Sequence, residues 1–161
     1  MTELHFLRHA HSGDPETWNG SDDARPLSEK GEKQADRLGR FLAKVGFKPD
    51  AIITSPKVRA ARTAEIVAGH LEVEVTVDPR LGGGLGITEL EAVLHGAGDP
   101  GRPVLVGHDP DFSELVASLS GASRIPMRKG AIARVDIGSP LRPGAGTLRW
   151  LIPPELLKPE R

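Results

Sequence analysis

A short apolar stretch that ends directly in an arginine and a histidine constrains the fold of this chain most strongly. Residues 4–7 suit a buried β-strand, and Arg8 and His9 follow without a spacer. Buried strands of this kind are typical of parallel sheets, in which ligands bind beyond the carboxyl ends of the strands. The sequence therefore predicts that Arg8 and His9 lie at the ligand-binding edge of a sheet.

Two later apolar stretches end in a similar way. Residues 51–54 run directly into SPKVR, which ends at Arg59, and residues 103–106 run into GHDP, which contains His108. A single Arg-His pair is explained more simply as part of a surface loop. Here, however, three strands are followed by such residues, in the patterns Arg-His, Ser-Pro-x-x-Arg and Gly-His. A repeated occurrence of this kind is poorly explained by coincidence. We therefore expect the side chains at these three ends to converge on one site.

The stretches between the strands carry the spacing of amphipathic helices. Four helices are predicted: residues 29–45 between Ser28 as N-cap and Gly46, a helix opened by Ser55 and Pro56, residues 88–94 capped by Thr88, and a helix opened by Asp109 and Pro110. Three more strands are predicted at residues 73–77, at an edge, and at residues 132–137 and 148–152, for which antiparallel pairing is one arrangement. Residues 81–86 are rich in glycine but lack the lysine and hydroxyl residue of a P-loop, so we interpret them as a flexible rim. The alternation of strands and helices indicates an α/β fold.

Composition excludes several classes of protein. The 161 residues include 21 Lys and Arg against 22 Asp and Glu, so no overall field favours nucleic acid or an anionic membrane surface. With no cysteine, the chain has no disulfide, thiolate zinc site or thiol nucleophile. It carries neither a signal-peptide pattern nor an apolar run of membrane-spanning length, and we expect a cytoplasmic protein. Its length predicts a single domain over residues 1–161, with residues 153–161 as a C-terminal tail.

Several residues outside the three strand ends have two interpretations. Residues 11–26 form a predicted loop beside the site, in which Asp14, Trp18 and Arg25 are as well explained by loop packing as by contact with a substrate. Lys129 either extends a cationic rim or is a solvated lysine in a turn, and we prefer the second interpretation.

Four motifs occur in a specific order along the chain. They are LRHAHS near the start, RPLSEKG opening the first helix, TSPKVRAARTAE after the second strand and VLVGHDP in the second half. Together they resemble the histidine phosphatase superfamily, and most closely its small SixA-type phosphohistidine phosphatases. The resemblance runs over most of the chain. It implies a three-layer α/β/α sandwich with a mostly parallel central sheet, a phosphatase without a cofactor or metal, and a phosphorylated partner, expected to be a protein that carries phosphohistidine.

The resemblance also implies a role for each residue at the three strand ends. His9 is the nucleophile that becomes phosphohistidine, while Arg8, Arg59 and His108 complete the phosphate pocket, with both arginines binding the substrate. Elementary chemistry agrees, because imidazole is nucleophilic near neutral pH and a guanidinium matches phosphate oxygens. Phosphoryl transfer depends on positioning and electrostatic stabilisation, which these groups supply. Nearby cations also favour the neutral form of His9.

The proton donor for the leaving group is not assigned by the resemblance. Many superfamily members carry an acidic donor after the third strand, where this chain has Pro-Arg-Leu at residues 79–81. Asp109 is one substitute, although it suits helix capping at least as well, and Glu89 is a weaker candidate. Because a phosphoimidazole can leave as neutral imidazole whereas an alkoxide needs a strong acid, we expect activity to favour N–P or other activated phosphates over sugar phosphates.

Three other functions fit parts of the sequence. A phosphoglycerate mutase-like phosphotransferase or small-molecule phosphatase would use the same strand ends, and a mutase would also need a second phosphate pocket. A non-catalytic phosphate-binding protein would retain the arginines without the chemistry, and the intact His9 argues against it. A metal site formed by His5, His9 and His11 is a third alternative, although no carboxylate or cysteine partner is evident.

Overall fold

Six strands pair into one mixed sheet in the computed structural model, which describes residues 1–159. They are Thr2–Arg8 (β1), Ala51–Thr54 (β2), Val75–Val77 (β3), Pro103–Gly107 (β4), Ile132–Ile137 (β5) and Thr147–Ile152 (β6). Their order across the sheet is β3-β2-β4-β1-β5-β6. The first four in this order are parallel, whereas β5 is antiparallel to both β1 and β6. The edge position of β3 and the antiparallel pairing of the last two strands confirm the sequence-based predictions, although β3 begins two residues later than expected.

Four helices in the same part of the chain cover the two faces of the sheet. They are Glu29–Lys44 (α1), Val58–Leu71 (α2), Ile87–Gly96 (α3) and Asp111–Ser120 (α4). On one face, Leu38 of α1 and Val67 of α2 join Leu7 of β1 in a buried apolar cluster. On the other face, Phe112 of α4 packs edge to face on Phe6 of β1, with ring centroids 5.2 Å apart. The alternation of side chains along β1 thus serves both layers, as the predicted three-layer α/β/α sandwich requires.

The helices within residues 1–159 lack the length and apolar composition that a membrane span requires. The apolar residues of these helices pack against the two faces of the sheet.

The sequence predicts the ends of α1 to within one residue. The Ser28 hydroxyl accepts a hydrogen bond from the Gly31 N–H (3.1 Å), which is the N-cap interaction. At the other end, Gly46 adopts a φ of +77°, and the Phe47 N–H donates to the Leu42 carbonyl oxygen (2.9 Å). The positive φ turns the chain back so that a carbonyl of the last helical turn is satisfied, and glycine adopts it without strain.

The start of α3 differs from the prediction. Thr88, the predicted N-cap, lies inside the helix, and Gly86 occupies the N-cap position. The Gly86 N–H donates to the Glu89 carboxylate (3.0 Å), so the longer glutamate side chain performs the capping. The glycine-rich segment before it is also more regular than predicted, because Pro79–Gly82 forms a 3-10 helix.

The predicted C-terminal tail is partly packed against the fold. Pro154–Leu157 forms a 3-10 helix that contacts α1. Glu155 lies 3.6 Å from Nε of Arg128, and Leu157 packs against the apolar cluster beneath α1 and α2. Residues 160 and 161 lie outside the described residues.

Gly31 allows α1 to dock closely on the segment that follows β1. A Cβ atom at this position would lie 1.9 Å from the His11 carbonyl oxygen. The same oxygen accepts a hydrogen bond from the Ser28 N–H (3.0 Å). The start of α1 is therefore held against the chain just beyond His9, and only glycine permits this approach.

We predict that Gly31→Ala destabilises the protein even though alanine is the better helix former. Glycine inside a helix costs about 1 kcal/mol relative to alanine, so an unobstructed helical site would gain stability from the change. At Gly31 the clash with backbone should reverse the sign, and denaturant unfolding should show a loss of about 1 to 3 kcal/mol.

Gly69→Ala is the matched control for this prediction. Gly69 lies inside α2, and a Cβ atom there would meet nothing within 4 Å. We expect this variant to be as stable as the parent or more so. Equal gains in both variants would contradict the close docking of α1.

Candidate active site

The carboxyl ends of β1, β4 and β2 lie side by side because β4 pairs in parallel with both of its neighbours. In this register Arg8 is opposite Gly107, and Thr54 is opposite Val106. The ladder continues beyond β1, since the His9 N–H donates to the Gly107 carbonyl oxygen (2.9 Å). The residue after each strand therefore projects from the same edge, as the sequence predicts.

The His9 imidazole is held with a free Nε2 atom. Its Nδ1 atom lies 2.7 Å from the Ala10 carbonyl oxygen. Because a carbonyl oxygen only accepts hydrogen bonds, Nδ1 carries the ring proton and Nε2 keeps its lone pair. Burial, followed by repulsion from His108, Arg59 and Arg8, lowers the pKa of His9 to about 3. The predicted preference for the neutral ring is confirmed, but burial contributes more to it than the cations do.

His108 faces His9 and is anchored from behind. The two ring centroids are 5.2 Å apart. Nε2 of His108 lies 2.8 Å from the Ser55 hydroxyl oxygen, and this oxygen accepts a hydrogen bond from the Lys57 N–H (3.2 Å). Burial, followed by repulsion from Arg59 and Lys57, lowers the pKa of His108 to about 4. Both imidazoles are therefore neutral near pH 7.

The role of Ser55 corrects the prediction for α2. The helix begins at Val58 with Lys57 in the N-cap position, so Ser55 is not the N-cap and Pro56 precedes the helix. The Ser55 N–H still donates to the carboxyl end of β4 (2.9 Å), which keeps its backbone in the sheet ladder. Its hydroxyl is therefore placed beneath His108. A serine before proline predicted a cap, and only the pairing of β2 with β4 reveals this contact.

Each of the two predicted arginines is held by one carboxylate and one carbonyl. Nη1 of Arg8 donates to the Met127 carbonyl oxygen (2.8 Å) and lies 3.5 Å from the Asp109 carboxylate. Arg59 donates through Nη1 to the Asp22 carbonyl oxygen (2.7 Å) and through Nη2 to the Asp22 carboxylate (2.9 Å). These contacts orient both guanidinium groups before any ligand binds.

The remaining donors of these arginines point to an anion. The Nε atoms of Arg8 and Arg59 are buried and find no acceptor within residues 1–159. Buried N–H groups in folded proteins are nearly always paired. Both arginines line the same cavity as His9 and His108. The positive charge that the two guanidinium groups bring to this cavity favours an oxyanion as its ligand.

The cavity has a volume of about 330 Å³ and is strongly cationic. The permanent cations in its lining are Arg8, Arg25, Lys57, Arg59 and Lys129, whereas its carboxylates are Asp109 and Asp111. The glycine-rich segment supplies Gly82, Gly83 and Gly84 to one wall. Although the whole chain is nearly neutral, its charge is locally unbalanced, and this favours a phosphate-sized anion.

Lys129 corrects one of the sequence interpretations. It is half-buried and lines the cavity, so the preferred interpretation as a solvated lysine in a turn is wrong. Burial, followed by repulsion from Arg8, Arg25 and Arg59, lowers the pKa of Lys129. The signal in the sequence was weak because a lysine next to a glycine is common in exposed turns.

The structure separates the three loop candidates. Arg25 is buried and lines the cavity. The Asp14 carboxylate accepts a hydrogen bond from the Glu16 N–H (2.9 Å), and the Trp18 indole donates to the Ser21 carbonyl oxygen (2.8 Å). Asp14 and Trp18 therefore serve the packing of their own loop.

Asp22 is a site residue that sequence reasoning missed. Its carboxylate contacts Arg59 and lies 3.3 Å from Nε of Arg25. Partial burial raises the pKa of Asp22, but the hydrogen bonds and charges of Arg59 and Arg25 outweigh this and lower it overall. The acidic loop sequence offered no reason to single out this residue over its neighbours.

Of the two acid candidates, only Asp109 lines the cavity. Its carboxylate accepts hydrogen bonds from the Ser113 N–H (3.1 Å) and the Ser113 hydroxyl (2.6 Å), besides its ion pair with Arg8. It precedes α4, whose N-cap position is taken by Pro110. Glu89 is exposed and caps α3 instead. Asp109 therefore anchors Arg8 and the start of α4 through every contact that it makes.

The structure does not arrange His5, His9 and His11, the three histidines of the alternative metal site, around a common point. His5 contacts the Pro103 carbonyl oxygen through Nδ1 (3.0 Å), and His11 contacts the Ser28 hydroxyl through Nδ1 (2.6 Å), so neither turns toward His9. Within residues 1–159, no three His, Asp or Glu side chains are arranged to hold a metal ion.

Comparison with known proteins agrees with this geometry. A profile of the histidine phosphatase superfamily (branch 1) matches residues 4–83. An uncharacterized protein of Picosynechococcus sp. is 34% identical over 123 residues, which is 73% of each chain. The protein belongs to the histidine phosphatase superfamily.

Two further matches describe its place among the histidine phosphatases. The structure of the protein histidine phosphatase SixA complexed with tungstate superposes with a TM-score of 0.84 at 25% identity, covering 98% of this chain and 100% of that one. The probable phosphoglycerate mutase GpmB of Cronobacter sakazakii is 28% identical, with 84% of this chain and 85% of that one aligned. This histidine phosphatase superfamily member is therefore an enzyme of the phosphatase and phosphomutase class.

We predict that His9 and His108 both remain neutral down to about pH 5, since their pKa values are lowered to about 3 and about 4. Imidazole ¹⁵N shifts recorded during an NMR titration would report this directly. Because the unfolded chain binds these protons at about pH 6.5, the free energy of unfolding should decrease as the pH falls below that value.

The control is the same titration in concentrated urea, where both rings should titrate near about pH 6.5. Addition of inorganic phosphate to the folded protein should raise both pKa values, because an anion stabilises the protonated rings. A folded-state pKa near 6.5 for either ring would contradict the burial described above.

Proposed function

We propose that the protein hydrolyses phosphorylated substrates by transferring the phosphoryl group to Nε2 of His9. The observation that carries this proposal is the neutral ring of His9, which lines one cavity together with the guanidinium groups of Arg8 and Arg59. A nucleophile and two anion donors thus surround a space suited to one phosphoryl group.

In the first step, the Nε2 lone pair attacks phosphorus. A bond forms between Nε2 and phosphorus, and the bond from phosphorus to the leaving group breaks with its electron pair going to that group. Negative charge spreads over the three equatorial oxygens, where Arg8 and Arg59 stabilise it. His108 lies beside the His9 ring. With its Nε2 accepting a hydrogen bond from the Ser55 hydroxyl, neutral His108 carries its proton on Nδ1 and can donate it to the same oxygens.

In the second step, water attacks the phosphohistidine. The new P–O bond forms as the P–Nε2 bond breaks, which returns neutral His9 and releases inorganic phosphate. The Ala10 carbonyl keeps the proton on Nδ1 throughout, so Nε2 is restored as a nucleophile. The likeness to SixA complexed with tungstate supports this use of the cavity, because tungstate is also a tetrahedral oxyanion.

We predict that ³²P from a labelled substrate appears on His9 after a rapid acid-free quench, and that His9→Ala loses both the label and at least about 10³-fold in turnover. Peptide mapping under alkaline conditions, where phosphohistidine survives, would locate the label. His95→Ala removes an exposed histidine on α3 and is the matched control. Label on another residue, with turnover intact in His9→Ala, would eliminate this mechanism.

We infer further that the substrate is a protein phosphohistidine. Within residues 1–159, both carboxylates of the cavity are already engaged, because Asp109 contacts Arg8 and Ser113 and Asp111 accepts a hydrogen bond from the Leu85 N–H (3.1 Å). A phosphoimidazole carries its own ring proton and leaves as neutral imidazole. The likeness to SixA phosphatases points the same way.

We predict that kcat/KM for a phosphohistidine peptide exceeds that for an alkyl phosphate such as propyl phosphate by at least about 10²-fold, the range that general acid catalysis contributes. Phenyl phosphate, whose leaving group is less basic, should fall between them. Steady-state phosphate release would rank the three substrates. Equal rates for all three would mean that the site contains an effective general acid.

A phosphomutase is the second candidate, because GpmB aligns with most of this chain. The two functions differ in what accepts the phosphoryl group from His9. Chasing the labelled enzyme with water alone and with an added phosphoglycerate would separate them, since a mutase intermediate survives in water and transfers to the acceptor.

A further inference from the structure

A second basic groove of about 340 Å³ adjoins the catalytic cavity. The basic side chains in its lining are Arg8, His11, Lys30, Arg128, Lys129 and Lys158. Glu155 is the one carboxylate that lines it within residues 1–159, and this group lies 3.6 Å from Nε of Arg128. Arg8 and Lys129 line both the groove and the catalytic cavity, so groups bound in the two would lie next to each other.

The groove is built on rigid parts of the fold. The Gly130 N–H donates to the carbonyl oxygens of both Arg8 (3.1 Å) and His9 (2.9 Å), which fastens the segment carrying Arg128 and Lys129 to the end of β1. Lys30 lies in the first turn of α1, on the helix that Gly31 docks against the chain beyond β1. The backbone that carries the cationic side chains of the groove is therefore held in place by the rest of the fold.

Two lysines of the groove are not neutralised by neighbouring acids, whereas Arg8 lies 3.5 Å from Asp109 and Arg128 lies 3.6 Å from Glu155. Within residues 1–159, neither Lys30 nor Lys129 has a carboxylate oxygen within 4 Å, whereas Lys33 and Lys57 each form an ion pair. His11, Lys30 and Lys129 all line the groove, and burial, followed by repulsion from Lys129 and Lys30, lowers the pKa of His11. A second oxyanion placed there would relieve this repulsion.

We propose that this groove is a subsite for a second anionic group of the substrate, and that Lys30, Arg128 and Lys129 determine specificity for it. The inference rests on the proposed phosphatase function and names the substrate class more narrowly. Its ligand is a carboxylate or phosphate next to the phosphoryl group that His9 accepts. Such a group is carried either by an acidic residue beside a phosphohistidine or by a small molecule with two anionic ends.

The test compares two phosphohistidine peptides that differ only in an aspartate or an asparagine beside the phosphorylated residue. The wild-type enzyme should show a lower KM for the aspartate peptide, with equal kcat. In Lys30→Gln this preference should fall about 2- to 5-fold, the range expected for one partly exposed ion pair. Lys30→Glu should reverse the preference, and raised ionic strength should weaken it in the wild type.

Lys44→Gln is the matched control, because it removes the same charge from the exposed last turn of the same helix, about 20 Å away along the axis. It should leave the preference between the peptides unchanged. An equal loss in Lys44→Gln would show that the effect is one of overall charge and would overturn the proposal.

A binding measurement keeps the subsite testable even if no phosphohistidine is hydrolysed. Calorimetry with tripolyphosphate and with orthophosphate should show the affinity ratio falling about 2- to 5-fold in Lys30→Gln but not in Lys44→Gln. A change in this ratio without any preference between the peptides would assign the subsite to a small molecule. Failure of peptide turnover with this ratio still changed would reject the phosphohistidine substrate but retain the subsite. If Lys30→Gln changes neither the ratio nor the peptide preference, the groove binds no second anion.

Discussion

The parallel pairing of β4 between β1 and β2 is the constraint on which the site depends. It aligns three strand ends that are separated by about fifty residues each along the chain, and it carries the ladder one residue further through the His9 N–H. A shift of one residue in this register would turn the imidazoles to opposite faces of the sheet. The apolar clusters on both faces of the sheet resist such a shift, because Leu7 and Phe6 would exchange their partners. Packing far from the cavity thereby secures the geometry within it.

Bringing cations together in this way is unfavourable without counter-charges, and the structure supplies these from two neighbouring segments of the chain. Asp22 contacts Arg59 from the loop after β1, and Asp109 contacts Arg8 from the segment before α4. Each acid contacts the terminal nitrogens of one guanidinium, and the buried Nε of each arginine has no acceptor within residues 1–159. The cost of two unsatisfied donors is typical of sites that bind their ligand with preorganised groups.

The surroundings of His9 and His108 determine both the charge and the orientation of their imidazole rings. Burial and the surrounding positive charge keep both rings neutral, so the Nε2 lone pair of His9 is not lost to protonation near pH 7. The Ala10 carbonyl and the Ser55 hydroxyl then determine which nitrogen of each ring faces its anchor. The basic groove beyond Lys129 continues this positive potential along the surface, and it is there that we propose recognition of a second anionic group.

The sequence by itself determined the layered fold, the ends of α1, the edge position of β3 and the convergence of Arg8, His9, Arg59 and His108. These features follow from local patterns: apolar runs, helical spacing, and polar residues that directly follow strands. Local patterns misassigned Ser55 and Lys129 and gave no reason to choose Asp22, because the function of each depends on a partner distant in the chain. Only the tertiary structure decided which serine lies beneath His108, which acid counters Arg59 and which lysine enters the cavity. Contacts of this kind depend on strand register and loop packing. Neither of these can be read from the spacing of neighbouring residues in a single sequence.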